Sequence, residues 1–219
     1  MNETRILIAC EKSQAVTIEF RKLGFTAFSC DTQDCSGGHP EWHIKGDVLS
    51  IIDDDWDMMA VFPPCTYLSN VGNGWFNEER YGEAARIRKQ KRKEALIFFM
   101  ILWHSGIKHI CIENPVGYVN SHFRKPDQII HPYQFGDNEM KKTCLWLKGL
   151  PLLKITHPEN PVPEPKGYYK KGKRKGKAIY WSDYHSKSKD RAELRSKTFP
   201  GIAKAMAQQW GAYLKGVTC

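Results

Sequence analysis

The chain has 219 residues, a formal net charge of +9 and a pI near 9.1. This length fits one sizeable domain better than two, and the hydrophobic content of 41% excludes disorder throughout the chain. The basic balance indicates a polyanionic partner, with nucleic acid as the leading candidate. An ordinary basic soluble protein is the alternative, because net charge concerns partners and not fold.

The cysteines argue against disulfides and metal. The chain has seven, an odd number, and none forms a C-x-x-C pair, so a disulfide framework or a zinc ribbon is not expected. No signal-peptide pattern opens the chain, and the longest apolar stretch, Ala95 to Trp103, is too short to cross a bilayer. We therefore expect a cytoplasmic protein with no bound metal and no membrane partner, while the oligomeric state stays open.

Apolar runs alternate with helical patterns along the first half of the chain. A helical pattern from about Ser13 to Leu23 is closed by Gly24, and a long helix is predicted from about Glu83 to His104. Strands that alternate with helices predict an α/β fold with a mainly parallel, doubly wound sheet. The predicted strands are Arg5 to Cys10, Thr26 to Cys30, a short one ending near Gly46 and Asp47, Asp57 to Phe62, and Lys108 to Ile112.

The composition changes at about Pro151. Prolines are followed by the stretch Lys166 to Lys177, in which seven of twelve residues are basic and none is acidic. A closing helix is predicted from Phe199, since apolar residues recur at helical spacing from Ile202 to Leu214. The predicted regions are a catalytic core over 1–150, a short basic recognition-like insertion over 151–198, and a C-terminal helix over 199–219 that returns to the core.

Reactive side chains follow each predicted strand. In an open parallel sheet, ligands bind outside the carboxyl ends of the strands, so these side chains are predicted to share one rim. Each of them alone would also suit an ordinary loop residue, but their equivalent positions predict a site. They are Cys10, Glu11, Asp31, Asp47, Cys65 and Glu113.

Cys65 is the candidate nucleophile, because it follows two prolines at a strand end and is therefore held by a stiff backbone. A bare Pro-Pro-Cys also describes an ordinary turn, and Glu113 alone also suits a surface or helix-capping acid. Neighbouring strands lie ~5 Å apart, so the two residues can reach one small substrate. A thiol and a carboxylic acid together suit attack on an electron-poor ring, with proton donation to a ring nitrogen.

Four segments resemble motifs of the cytosine-C5 DNA methyltransferases, in the family's order and over nearly the whole chain. Phe62 to Ser69 is similar to the proline-cysteine nucleophile loop, and Glu113-Asn114-Pro115 resembles the Glu-Asn-Val motif. Phe135 to Thr143 is similar to the Gln-x-Arg-x-Arg segment, with different residues at its key positions. Phe199 to Ala207 resembles the last motif, a helix beside the cofactor. The chain resembles in particular the short methyltransferase-like proteins encoded in phage and prophage genomes.

The resemblance implies a Rossmann-like fold that depends on S-adenosyl-L-methionine, and methyl transfer to C5 of cytosine in DNA. It implies that Cys65 adds to C6 of the base, that Glu113 protonates or hydrogen-bonds N3, and that Asn114 helps to place the Cys65 loop. A target base in a duplex would have to be flipped out of the stack. The resemblance also implies the cytoplasm of a bacterial or phage-infected host cell.

The cofactor end departs from the family pattern. The family has an F-x-G-x-G loop after the first strand, whereas Ala9 to Gln14 contains no glycine. The resemblance assigns the ribose hydroxyls to Asp31 and the adenine amine to Asp47, although a helix cap and a turn are alternative roles for these acids. The predicted cofactor-binding residues are Ala9, Cys10, Glu11, Ser13, Asp31, Asp47 and Pro64.

Two basic segments and the third motif are predicted to contact nucleic acid. The first segment opens the long helix, where positive charge opposes the macrodipole. The second falls where the family places its target-recognition region, and lysines interleaved with tyrosines suit phosphates and bases. A solvated helix face and a disordered basic tether are the alternatives. The predicted contact residues are Arg86, Arg88, Lys89, Arg92, Lys141, Lys170, Lys171, Lys173, Arg174 and Lys175.

Other activities were weighed against this interpretation. Amino-methyltransferases carry Asp or Asn before Pro-Pro and an aromatic residue after it, whereas this chain has Phe62 and Cys65 at those positions. RNA or a free cytosine nucleotide stays open as the substrate. A methyltransferase-like nucleic-acid-binding protein without catalysis is the alternative from a different functional class.

Overall fold

The apolar runs form the middle of a seven-stranded sheet in the computed structural model, which describes residues 3–180 and 198–216. The strands of this sheet are β1 (Arg5–Ala9), β2 (Thr26–Asp31), β3 (His43–Lys45), β4 (Met58–Val61), β5 (His109–Pro115), β6 (Gln128–Ile130) and β7 (Thr143–Lys148). A separate small sheet pairs β8 (Gly167–Tyr168) with β9 (Ala178–Ile179). The described α-helices are α1 (Ala15–Lys22), α2 (Glu78–Tyr81), α3 (Glu83–His104), α4 (Tyr118–His122) and α5 (Pro200–Leu214).

The strand order is β3-β2-β1-β4-β5-β7-β6. Strands β1 to β5 are parallel to one another, and β7 runs antiparallel between β5 and β6. The order reverses between β1 and β4, and such a switch point is where open α/β sheets bind ligands. The predicted α/β class with a mainly parallel sheet is confirmed, and the order is compatible with a Rossmann-like fold.

Two apolar layers cover the sheet, because side chains alternate between its faces along each strand. Ile6 and Ile8 of β1 face one layer with Trp210 of α5, whereas Leu7 faces the other with Phe99 of α3. All five side chains are fully buried. Burial on both faces explains why these strands read as continuous apolar runs rather than alternating ones.

Helix α3 has the predicted bounds, and its two halves differ in character. The first half is basic, and the second half packs Phe99 and Leu102 into the core. At its end, Lys148 Nζ donates to the carbonyl oxygens of Trp103 (3.3 Å) and Ser105 (2.9 Å). A cation at a helix C-terminus satisfies otherwise unpaired carbonyls and complements the macrodipole.

The structure adds elements that the sequence did not predict. Strands β6 and β7 complete the sheet beyond β5, and the segment Asn70–Phe76 forms a 3₁₀ helix. β6 has only three residues, so its pairing with β7 depends on tertiary contacts rather than on a local pattern.

The described part of the basic insertion begins and ends on the core. Near its start, Trp210 Nε1 donates to the carbonyl oxygen of Pro151 (3.0 Å), and Asn160 Nδ2 donates to that of Tyr133 (3.0 Å). Beyond the insertion, Gly201 N donates to Asp137 Oδ2 (2.9 Å). Asn160, within the insertion, and Gly201, just beyond it, therefore both contact the β6–β7 connection. Residues 181–197 of the predicted insertion, and 217–219 of the predicted helix, lie outside the described residues.

The start of α5 tolerates only glycine. A Cβ atom on Gly201 would overlap the backbone carbonyl of Phe135, whereas a Cβ on Gly106 would have nothing within 4 Å. We expect Gly201→Ala to lower the free energy of unfolding by about 1–3 kcal/mol, because a backbone clash outweighs the better helix propensity of alanine. Urea denaturation measures this, with Gly106→Ala as the matched control that stays near the wild type. Equal stabilities of both variants would contradict the close packing of α5.

Candidate active site

The parallel pairing of β4 and β5 brings Cys65 and Glu113 to the same rim. Val61 pairs with Ile112 at the end of the register. Glu113 is the next residue of β5, and β4 is followed by Phe62, Pro63 and Pro64 before Cys65. Two chemically complementary side chains thus follow adjacent strands at the same edge of the sheet.

Cys65 lies at the start of a tight turn. Its carbonyl oxygen accepts hydrogen bonds from the backbone amides of Leu68 (3.1 Å) and Ser69 (2.9 Å). Pro63 is buried and Pro64 is exposed, and the Cys65 residue itself is exposed. The turn therefore presents the thiol to solvent from a backbone restrained on both sides, as a nucleophile requires.

Asn114 ties the two strand ends together. Its side-chain Nδ2 donates to the carbonyl oxygen of Pro63 (3.0 Å), and the residue is only 1% exposed. A buried side-chain hydrogen bond of this kind is costly to lose, because the groups left behind stay unpaired. Among the described residues, nothing hydrogen-bonds to the buried Oδ1 of Asn114.

Glu113 is half-buried, and burial raises the pKa of its carboxyl above the usual value, with the charge of Lys141 acting in the opposite direction. A raised pKa favours the protonated acid, which can donate a proton to a ligand. Lys141 also lies 5.6 Å from the ring centre of Phe199. The third and fourth motifs therefore come together beside Glu113.

Backbone contacts join the loop after β4 to the loop after β5. Tyr118 N donates to the carbonyl oxygen of Leu68 (2.7 Å), and Ser69 forms an isolated bridge with Gly117. A Cβ atom on Gly117 would overlap the Leu68 carbonyl, so only glycine allows this approach. The glycine requirement was not predicted from the sequence.

Arg88 of α3 reaches back to the loop that carries Cys65. Its Nη2 donates to the carbonyl oxygen of Thr66 (3.1 Å), and its guanidinium lies 5.0 Å from the ring centres of Tyr67 and Phe76. Arginine stacks well on aromatic faces, so these contacts combine a hydrogen bond with cation–π attraction.

Arg92, one turn further along α3, makes the same kind of contact. Its Nε donates to the carbonyl oxygen of Tyr67 (2.8 Å), and one Nη donates to Asn73 Oδ1 (2.7 Å). The guanidinium lies 3.3 Å from the ring centre of Phe76 and 4.7 Å from that of Tyr118. Arg92 thus contacts the turn, the 3₁₀ segment and α4 at once.

These contacts differ from the phosphate contacts that the sequence predicted for Arg88 and Arg92. Both side chains are half-buried, and the structure assigns them to positioning the Cys65 loop. Their i, i+4 spacing places them on one helix face and is the sequence signal that would have paired them. Arg86 and Lys89 are exposed and form ion pairs with Glu78 at 3.2 and 2.5 Å. Phosphate contact by Arg86, Arg88, Lys89 and Arg92 stays a prediction.

The predicted cofactor-binding residues Cys10, Asp31 and Asp47 lie at or just past the ends of β1, β2 and β3. Burial, together with the nearby charges of Asp31 and Asp47, raises the pKa of the Cys10 thiol to about 12. Cys10 adopts a left-handed backbone with φ 57°, a conformation that glycine adopts far more easily. The loop therefore makes a glycine-like turn without glycine.

The Glu11 side chain caps the N-terminus of α1. The residue is 3% exposed, and its carboxylate accepts from Val16 N (2.7 Å), Thr17 N (3.3 Å) and Thr17 Oγ1 (2.8 Å). Burial raises the pKa of Glu11 and these hydrogen bonds lower it, and the net result is a pKa of about 7. The sequence predicted a cofactor contact, but the structure engages both carboxylate oxygens in capping α1.

The other predicted cofactor residues make local contacts. Asp31 is half-buried, and its Oδ1 accepts from Gln33 N (2.9 Å), while the exposed Asp47 accepts from Leu49 N (3.0 Å). Ala9 is fully buried at the end of β1. Ser13 Oγ accepts from Ala15 N at 3.5 Å. Each of the carboxylates of Asp31 and Asp47 can accept further hydrogen bonds beyond its local one.

The basic residues of the insertion surround the small β8–β9 sheet. Lys170, Lys171, Arg174 and Lys175 are exposed, and the side chain of Lys173 lies outside the described residues. Arg174 Nη1 donates to Tyr169 Oη (3.3 Å) and its guanidinium lies 5.6 Å from that ring. Their contact with nucleic acid stays a prediction.

Two further findings concern other ligands. Within residues 3–180 and 198–216, no group of His, Cys, Asp or Glu side chains has an arrangement that could hold a metal ion. Over the same residues, no helix combines the length and the apolar character needed to span a bilayer.

Loss of Arg92 should loosen the Cys65 loop. We expect Arg92→Ala to speed hydrogen exchange at the amides of Leu68, Ser69 and Tyr118 by about 10-fold, because contacts worth about 1–2 kcal/mol disappear. Mass spectrometry of exchanging peptides measures this. Lys93→Ala, an exposed neighbour on the same helix, is the control that leaves exchange unchanged. Unaltered exchange in Arg92→Ala would remove its positioning role.

Glu11 should make stability depend on pH. Because the folded pKa of about 7 lies above the unfolded value of 4.5, the folded chain binds the proton more tightly. The contribution of Glu11 to stability is therefore fully present below pH 4.5 and is lost as pH rises towards 7, by up to about 3 kcal/mol. Urea denaturation between pH 5 and 8 should give a flatter profile for Glu11→Gln than for the wild type. The exposed Glu79→Gln should keep the wild-type slope, and parallel profiles for all three proteins would refute this role of Glu11.

Comparison with known proteins gives no assignment. No family model matches the chain, and no curated protein matches it significantly. The function is therefore argued from the chemistry of the rim itself: an exposed thiol, a protonatable acid on the next strand, and a cluster of acids beyond the switch point.

Proposed function

We propose that this protein transfers a methyl group to C5 of cytosine in DNA, through a covalent bond between Cys65 and C6. The observation that carries the proposal is the buried hydrogen bond from Asn114 Nδ2 to the Pro63 carbonyl oxygen. It joins the strand that bears Glu113 to the turn that bears Cys65. A stiff link between nucleophile and acid is what a reaction at two atoms of one small ring needs.

The roles follow from the chemistry of the two side chains. The Cys65 thiolate adds to C6, and Glu113 donates its proton or a hydrogen bond to N3, so that negative charge does not accumulate on the ring. The ring then becomes nucleophilic at C5. After methyl transfer, loss of the C5 proton restores the double bond and expels the Cys65 thiolate. The raised pKa of Glu113 supports the role of proton donor.

S-adenosyl-L-methionine would supply the methyl group, and the residues past β1, β2 and β3 fit such a cofactor. Cys10 makes a left-handed turn just past β1, and it lies near enough to Asp31 and Asp47 for their charges to raise its pKa. Carboxylates suit the ribose hydroxyls and the adenine amine as acceptors. Glu11 would act indirectly, by holding the start of α1 and hence the shape of the loop.

DNA as the substrate is supported by charge. The chain carries a net charge of +9, and exposed lysines and arginines lie in the connection between β8 and β9. Asn160, which precedes β8, contacts the β6–β7 connection. Lysines and arginines neutralise phosphates without reading sequence. A cytosine in a duplex must leave the stack before Cys65 can reach C6.

The test is covalent capture. DNA that contains 5-fluorocytosine should trap the full-length wild type in the presence of S-adenosyl-L-methionine, because the C5 fluorine blocks the elimination step. Cys65→Ser should form no adduct, and Glu113→Gln should lower the methylation rate by about 100-fold or more. Cys35→Ser, which alters a half-exposed thiol elsewhere, is the matched control and should still form the adduct.

Nucleoside mass spectrometry and calorimetry complete the test. RNA and cytidine nucleotides are tested as alternative substrates. If 5-methylcytidine is formed only from them, DNA is not the substrate. Capture of Cys65→Ser as efficient as that of the wild type would show that the nucleophile is assigned wrongly. If neither S-adenosyl-L-methionine nor its product bound with DNA present, a non-catalytic nucleic-acid-binding protein would be the better description.

A further inference from the structure

Trp75 is a large apolar side chain that is exposed to solvent, in a segment that Arg92 connects to the Cys65 turn. It belongs to the 3₁₀ segment Asn70–Phe76 and is 57% exposed. The next residue, Phe76, is half-buried. Exposure of an indole has a free-energy cost of about 25 cal/mol for each Å² of apolar surface. An ordered segment that turns one aromatic ring inward and its neighbour outward therefore indicates a contact surface.

Arg92 of α3 contacts residues that flank Trp75 in the sequence. Arg92 lies 3.3 Å from the ring centre of Phe76 and donates to Asn73 Oδ1 (2.7 Å), so the residues on both sides of Trp75 are restrained. The same arginine donates to the carbonyl oxygen of Tyr67 in the Cys65 turn. Trp75 and Cys65 are therefore connected to one rigid support.

Trp75 is supported on one side. The ring centre of Tyr81 lies 4.9 Å from that of Trp75, with the two planes 35° apart. The guanidinium of Arg80 lies 5.3 Å from the ring centre of Tyr81. Cation, phenol and indole thus form a short ladder at the surface, with an exposed positive charge at one end and a solvent-facing indole at the other.

We propose that Trp75 stacks on an unpaired base of single-stranded DNA, next to the cytosine that Cys65 attacks. This inference rests on the proposed function for the position of the cytosine, and it adds the strand state of the substrate and a residue that selects it. Base–aromatic stacking needs an open π-face, which single strands offer and stacked duplex bases do not. The exposed Arg80 and Lys91 provide the charge for the adjoining phosphates.

The test is binding of a fluorescein-labelled, cytosine-containing 12-nucleotide DNA, measured by anisotropy with the full-length protein. The wild type should bind the single strand more tightly than the duplex of the same sequence. Trp75→Ala should weaken single-strand binding by roughly 10- to 100-fold, Trp75→Phe should retain most of it, and duplex binding should change little. Ile97→Ala is the matched control, since Ile97 is 56% exposed on α3 and should leave both affinities unchanged.

Several outcomes would overturn the inference. They are tighter binding of the duplex than of the single strand, an equal loss for both forms in Trp75→Ala, which indicates a wedge in duplex DNA, and no effect of Trp75→Ala. Binding of the RNA strand alone would overturn DNA as the ligand.

Methyl transfer by the wild type, measured beside these affinities, separates this inference from the proposed function. Binding that depends on Trp75 without any methyl transfer by the wild type would leave the stacking surface standing and refute the reaction. Methyl transfer with unchanged affinity in Trp75→Ala would do the reverse.

Discussion

The hydrogen bond between Asn114 and the carbonyl of Pro63 is the contact on which the candidate site depends. Two adjacent parallel strands end side by side, but their loops would diverge without a link between them. A buried amide that donates to the turn of the neighbouring strand removes that freedom, and the cost of leaving its partners unpaired keeps the link closed. Gly117 strengthens it, because the absent Cβ lets the loop after β5 pair with Leu68.

Helix α3 extends the same support from the other side. Its second half is buried in the core through Phe99 and Leu102, so its first half is held at a fixed angle to the sheet. Arg88 and Arg92 project from that first half and take the carbonyls of Thr66 and Tyr67. The charge that opposes the helix macrodipole is thus offset by hydrogen bonds and aromatic contacts in the Cys65 loop. The packing of α3 against the core therefore also positions the loop that carries Cys65.

The other half of the rim, at the loop between β1 and α1, is held by different contacts. A loop without glycine still needs a turn of left-handed backbone between β1 and α1, and Cys10 and Gln14 both adopt positive φ. Buried hydrogen bonds hold this geometry: Glu11 caps α1, and Gln14 Nε2 donates to the carbonyl oxygen of His39 (2.7 Å). Side-chain hydrogen bonds here take over what glycine's conformational freedom would otherwise supply.

Much of the fold could be predicted from the sequence, because it depends on local periodicity. The five parallel strands were placed to within a few residues, and α3 has the predicted bounds. The rim that bears Cys65 and Glu113 follows from chain order and from the rule that parallel strands end together. β6 and β7 were missed, since a three-residue strand is defined by its partner and not by its own residues.

The sequence by itself therefore determined the class of fold, the positions of the five parallel strands along the chain and the residue types at the rim. Tertiary structure alone decided what those residues do to one another. It turned Arg88 and Arg92 inward and engaged Glu11 in capping a helix. It also made Gly117 indispensable and left Trp75 exposed. The physical reason is that periodicity reports which face of an element is apolar, whereas hydrogen bonds and close approaches depend on neighbours distant in the chain.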